Sequence, residues 1–287
     1  MDKTDKTDKT VLITGATSGI GFESARQIAE MGADVIGVGS SQASCDKASD
    51  TMASYGCNVD YIACDLSDQE SVIALAENIK LKFNRLNVLI NNAGVIYLKR
   101  KTDSKGIEKM FSVNYLSHYL LTRLLFNTLL AAPRARIINV SSIAHKNVRM
   151  DFEDLSSNKS YRIMKVYGKT KLAQLLFTKY LSEKVDVNRI TVNAMHPGII
   201  PTNLISKNGI LGTALTTLWK LIGTSPKDGA ETIVYLANSD TVKNISGEYF
   251  VKCKPVELDP HAKDQVSAQM LWDKSSEMCT LSKELKL

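Results

Sequence analysis

The sequence predicts an α/β fold: one domain on a doubly wound parallel sheet of about seven strands, with helices on both faces. Three observations carry this. Short apolar runs alternate with helix-period segments across most of the chain. The first six of those runs have the character of strands covered on both faces. No Gly/Ser/Pro-rich linker divides the 287 residues. Alternation of this kind implies parallel strands joined by right-handed crossovers.

Strands are predicted at 11–14, 34–38, 59–63, 88–91, 136–140, 191–195 and 248–251, and helices at 20–31, 43–55, 69–82, 105–131, 165–184 and 227–237. Ser67 or Asp68 can cap the third helix, and Ser225-Pro226 starts the last with proline in the first turn. The stretch 115–130 is strongly apolar but carries Ser117, His118, Thr122, Arg123 and Asn127, which marks a packed core helix rather than a membrane span. Residues 1–10 hold three Asp-Lys-Thr copies and are expected to be a polar tail. The domain is expected over 11–255, with 256–287 as a C-terminal extension whose role the sequence leaves open.

Hydrophobic residues make up 44% and charged residues 23%, which excludes a disordered or collagen-like chain. The net charge is +6. The excess is scattered lysine rather than one basic block, so no nucleic-acid partner is expected. An anionic ligand or peripheral contact with a membrane surface suits this balance. The N-terminus lacks the apolar core of a secretory signal. No run of about 18 apolar residues occurs, so no transmembrane segment is expected. Five cysteines, odd in number and without CxxC spacing, point to a reducing, cytoplasmic setting. The four histidines have no ligand spacing, and no metal is assigned.

The turn after the first strand reads TGATSGIG, with Gly15, Thr17, Ser18, Gly19, Ile20 and Gly21. Glycines let the backbone bend sharply and approach a pyrophosphate, and the helix N-terminus that follows supplies free N–H groups. Alone this is a modest signal, since turns need glycine anyway. Further along come Asp65 after strand three, Asn91-Asn92-Ala93-Gly94 after strand four, and Ser141-Ser142 after strand five. YGKTK (Tyr167 to Lys171) and His196-Pro197-Gly198 complete the series. Together, in this order, these motifs resemble the short-chain dehydrogenase/reductase family over roughly residues 10–255. The resemblance implies a single Rossmann domain that binds a nicotinamide dinucleotide and acts on a small-molecule carbonyl or alcohol, often as a homo-oligomer.

Tyr167 and Lys171 are four apart, so on a helix they share a face with Cβ atoms ~6 Å apart. A tyrosine of pKa ~10 is a poor base at neutral pH, and a nearby ammonium favours the phenolate. The resemblance implies that Tyr167 exchanges a proton with the substrate oxygen and that Lys171 also holds the nicotinamide ribose. It gives Ser142 a hydrogen bond to the same oxygen. Asn114 is to hold a water that links Lys171 to solvent. The 25 residues from Ser142 to Tyr167 exceed the family's usual spacing. The insertion, with SSIAH and DFEDL, resembles the retinol dehydrogenase-like branch, which implies retinoid, lipid-like or xenobiotic substrates.

The resemblance also sets the cofactor contacts. Asp65 is expected on the adenine with Leu66 beside it, and Asn91, Ala93 and Gly94 on the ribose side. After Pro197 and Gly198, the Ile200 backbone is expected on the carboxamide and Thr202 on a phosphate. At the end of strand two stand Ser40 and Ser41, with no acid before Asp46. A site with donors and no anion favours NADP, with NAD possible. Residues 203–223 are expected to form an apolar lid, suited to a lipid-like or aromatic substrate. The alternative is a non-catalytic dinucleotide-binding regulator or redox sensor. Retention of Tyr167 and Lys171 together argues against it.

Overall fold

The computed structural model of the chain describes residues 8–198 and 225–282. Seven strands lie parallel: β1 (Thr10–Thr14), β2 (Asp34–Gly39), β3 (Val59–Ala63), β4 (Val88–Asn91), β5 (Ala135–Val140), β6 (Ile190–His196) and β7 (Tyr249–Val251). An eighth, β8 (Lys254–Pro255), pairs antiparallel with β7. The order across the sheet is β3-β2-β1-β4-β5-β6-β7-β8. The extra strand is a hairpin return of two residues. Its turn places Lys252 and Cys253 both at positive φ, 50° and 60°, the geometry that matches strand twist in a two-residue hairpin.

Strand alternation divides the core. Val11, Ile13, Val88 and Ile90 face one side with helices α1 (Gly19–Glu30) and α8 (Pro226–Asn238). Leu12, Leu89 and Ile137 face the other. There lie α3 (Gln69–Lys82), α5 (Ser117–Leu124) and α7 (Ile163–Lys184). Helix α2 (Gln42–Ser54) joins β2 to β3. Ser225 caps α8 and Asp68 caps α3 with their side chains.

The predicted helix at 105–131 is broken. It begins as α4 (Lys109–Phe111), passes through a π turn (Ser112–Leu116), continues as α5 and ends as α6 (Phe126–Leu130). The π turn inserts one residue into the helical ladder, which apolar periodicity does not reveal.

A further helix, α9 (Gln265–Met278), follows the sheet. Asp264 caps it by accepting from the Ser267 N–H at 2.8 Å. Its Trp272 is buried among Tyr119, Phe177 and Tyr180, with ring centroids 5.0, 6.2 and 4.7 Å away. The Tyr115 and Tyr119 hydroxyls bond Ser275 and Ser276 at 2.8 and 2.6 Å. This helix therefore clamps α5 against α7. No helix among the described residues is long and apolar enough to cross a membrane.

Trp272→Ala is expected to cost ~3–5 kcal/mol in urea unfolding, the usual result of emptying a large buried aromatic site. Val266→Ala on the exposed face of the same helix should stay within ~0.5 kcal/mol.

Candidate active site

The strand order reverses between β1 and β4, and in an open α/β sheet the crevice beyond that point receives the ligand. Gly15 and Gly19 take φ of 69° and 58°, which a side chain disfavours. A Cβ on Gly21 would lie 2.2 Å from the Gly15 carbonyl oxygen and 2.5 Å from Asn92 Nδ2. Asn92 clasps the turn, its Nδ2 donating to the carbonyls of Thr14 at 2.8 Å and Gly15 at 3.3 Å. Ser18 stands at the N-cap of α1 without a side-chain cap bond. Thr17 and Ser18 border this turn and Ile20 is buried beneath it. A sharp glycine cradle at an uncapped helix N-terminus fits a dinucleotide pyrophosphate.

The other expected cofactor residues lie at the carboxyl ends of the neighbouring strands. Ser40 is exposed after β2. Ser41 is spent as the cap of α2, accepting from the Ser44 N–H at 3.3 Å. Asp65 Oδ1 accepts from the Ser67 N–H and hydroxyl at 2.9 and 2.7 Å, which fixes the carboxylate beside buried Leu66. Asn91 turns inward: its Nδ2 donates to Asn139 Oδ1 at 2.8 Å and to Thr122 Oγ1 at 3.1 Å. Its side chain joins β4, β5 and α5, leaving the groove side to Ala93 and Gly94. Pro197 and Gly198 follow β6, Gly198 at φ 91°. Ile200, Thr202 and the proposed lid 203–223 lie outside the described residues.

Beyond β5, Ser141 donates its hydroxyl to the Lys171 carbonyl at 2.8 Å, a structural bond. Ser142 Oγ accepts from the Ala144 N–H at 3.3 Å and hydrogen-bonds the Tyr167 phenol. His145 Nδ1 lies 2.7 Å from the Ser142 carbonyl oxygen and holds this turn from below. Gly168 lets α7 come close, since a Cβ there would stand 2.5 Å from the Ala144 carbonyl oxygen. That approach brings Tyr167 to Ser142.

Tyr167 and Lys171 do share one face of α7. Burial pushes the Tyr167 phenol up to about 12, and the bond with Ser142 only partly offsets this. The simple expectation of a lysine-lowered phenol is therefore not met here. Lys171 Nζ lies 5.6 Å from the Tyr167 ring centre, and it donates elsewhere: to the Val140 carbonyl at 2.7 Å and Gln174 Oε1 at 3.3 Å. Burial alone brings its ammonium down to about 7.

Asn114 lies in the π turn. Its side chain is committed to Val95, accepting from the N–H at 2.8 Å and donating to the carbonyl at 3.0 Å. Its own carbonyl accepts from Gln174 Nε2 at 2.8 Å. Gln174, His118 and Thr14 surround Lys171 and the glycine turn, and none of the three is among the site residues that the sequence motifs point to. The available signal was positional: Gln174 follows Lys171 by three on the same helix, and His118 follows Asn114 by four.

The short chain dehydrogenase family model matches residues 9–209. Mouse retinol dehydrogenase 14 is 38% identical, with 96% of this chain and 87% of that protein covered. Human retinol dehydrogenase 13 is 36% identical, over 95% and 85%. Among solved structures, an uncharacterized protein of Mycobacterium paratuberculosis superposes with a TM-score of 0.78 at 29% identity, covering 97% of this chain and 96% of that one. An Escherichia coli short chain dehydrogenase complexed with NADPH shares the fold, with a TM-score of 0.69 at 22% identity over 88% and 100%. The chain belongs to the short chain dehydrogenase family. Within it the chain is retinol dehydrogenase-like, an NAD(P)-dependent oxidoreductase of alcohols and carbonyls.

Two outcomes follow from this geometry. Gly21→Ala should abolish dinucleotide binding in calorimetry and cost ~1–3 kcal/mol of stability through overpacking. Folded Lys171 holds its proton less tightly than the ordinary lysine value of 10.5. Its unfavourable contribution is therefore fully present below pH about 7 and is relieved as pH rises toward 10.5. Lys171→Met should remove that part of the rise when stability is measured by denaturation across this range.

Proposed function

We propose that the chain moves hydride between NADP and a carbonyl or alcohol of lipid-like, retinoid-like or xenobiotic type. The observation that carries this is the meeting of half-buried Ser142 with buried Tyr167 and Lys171 beyond the end of β5. A bound nicotinamide supplies or accepts the hydride. Ser142 and Tyr167 present two hydroxyls to one substrate oxygen. Tyr167 gives that oxygen a proton in reduction and takes one in oxidation. With its phenol near about 12, Tyr167 is protonated at neutral pH, the form that reduction needs. Oxidation needs the phenolate, so its rate climbs with pH. Lys171 would hold the ribose hydroxyls of the bound nucleotide.

The preference for NADP rests on the end of β2. Ser40 offers a hydroxyl there, and the first acid beyond it, Asp46, accepts from Gln42 Nε2 at 2.7 Å within α2. Gly15, Thr17, Ser18, Gly19, Ile20 and Gly21 take the pyrophosphate. Asp65 and Leu66 take the adenine, and Ala93 and Gly94 border the ribose. Pro197 and Gly198 lead toward the nicotinamide. The substrate class rests on two exposed apolar side chains. Ile143, 51% exposed, adjoins Ser142, and Met164, 57% exposed, lies one turn before Tyr167. Apolar surface placed there suits an apolar substrate.

Tyr167→Phe should lower kcat/KM by ~100-fold or more while NADPH binding, followed by protein fluorescence, stays as in the wild type. Unchanged turnover in the folded variant would sink the assignment. In the same titration NADPH should bind more tightly than NADH. Ser40→Asp should weaken NADPH by ~10-fold through repulsion of the 2′-phosphate and leave NADH little changed.

A further inference from the structure

A continuous buried hydrogen-bond path runs from Lys171 to the glycine turn. Lys171 Nζ donates to Gln174 Oε1 at 3.3 Å. Gln174 Nε2 donates to the Asn114 carbonyl at 2.8 Å and lies 3.1 Å from His118 Nδ1. His118 Nε2 lies 3.2 Å from Thr14 Oγ1. Thr14 Oγ1 also receives the N–H groups of Asn92 and Ala93, each at 3.0 Å. Gln174, His118, Thr14 and Asn114 are all essentially without solvent contact.

The hydrogen-bonding inventory fixes the orientation of the Gln174 amide. An ammonium only donates, so the amide oxygen of Gln174 must face Lys171. The Asn114 carbonyl only accepts, so the NH₂ must face it. His118 Nδ1 lies beside the same amide nitrogen, and His118 Nε2 beside the Thr14 hydroxyl. His118 is neutral, since burial and the Lys171 charge bring it down to about 3. The Gln174 amide is therefore held at both ends, by the Lys171 ammonium and by the Asn114 carbonyl.

We infer that Gln174 is a positioning residue for Lys171: its amide holds the ammonium and ties it to the π-turn carbonyl of Asn114 and, through His118 and Thr14, to the cofactor turn. The inference rests on the reading of Lys171 as part of the oxidoreductase centre. A glutamine has the reach for all three contacts, and an asparagine is one methylene short.

The titratable groups around Lys171 are Tyr167 on its own helix, His118 on α5, and His196 at the end of β6, with His145 beside His196. None is a carboxylate, so a carboxylate placed at 174 would be a new kind of neighbour. The test is proton–nitrogen NMR of the lysine side chains in the full chain, with the Lys171 signal assigned by its loss in Lys171→Met. In the wild type, the Gln174 side-chain amide should titrate with the Lys171 midpoint. Gln174→Glu should raise that midpoint by ~1–3 pH units, the usual effect of an adjacent opposite charge. Gln174→Met should lower it. The pH profile of kcat/KM should move in the same direction, and Gln174→Asn should restore only part of the wild-type behaviour. A Lys171 midpoint that is the same in both folded variants would overturn the inference. So would a Gln174 amide that stays silent through the wild-type titration, a measurement that needs no variant to fold. Shifted midpoints in a protein that turns over no carbonyl would count against the oxidoreductase reading and leave the Gln174 contact standing.

Discussion

Lys171 is 3% exposed, and no described carboxylate pairs with its ammonium. Removing a charge from water is expensive unless its hydrogen bonds are replaced. The surrounding elements supply that replacement. The end of β5 offers the Val140 carbonyl, and α7 offers the Gln174 amide. Each partner must in turn be held. Ser141 ties the Lys171 backbone to the end of β5. The π turn presents the carbonyl of Asn114 to Gln174. Placing one cation thus constrains two helical segments, α7 and the π turn, and the end of the strand from which Ser142 follows.

This constraint gives the π turn a purpose. An uninterrupted helix satisfies its own carbonyls and has little to offer a side chain from another helix. An inserted residue breaks the ladder locally and opens a carbonyl to a partner. Asn114 stabilises the irregular segment by bonding its side chain to both backbone groups of Val95. Its contribution is architectural on the side-chain face and electrostatic on the backbone face.

Much of the fold was legible because parallel strands buried on both faces leave apolar runs that few other structures produce. The predicted strands at 59–63 and 88–91 coincide with β3 and β4, and the predicted helix at 69–82 with α3. What stayed hidden depended on distant partners. In α9, the buried stripe of Ala268, Leu271 and Trp272 is interrupted by Ser275 and Ser276, which look polar until their tyrosine partners are known. Ser41 read as a phosphate donor, whereas local capping uses its hydroxyl. In the candidate site, Ser142, Tyr167 and Lys171 are recognisable from the ordered series of motifs along the chain. Thr14 and His118 are separated by 104 residues, and nothing in either neighbourhood announces the other. Asn91 read as a groove residue, but its amide bridges two strands and a helix inside the core.

The clamp formed by α9 has a consequence for how the protein is made. Tyr115 and Ser275 are 160 residues apart. At ribosomal rates of ~5–20 residues per second, Tyr115 of the π turn and Tyr119 of α5 wait on the order of ten to thirty seconds for their serine partners. During that interval the aromatic face of Tyr115, Tyr119 and Phe177 has no Trp272 to cover it. A nascent chain in this state offers a ready surface to a chaperone. The helix pair that carries the site reaches its full packing only after α9 has left the ribosome.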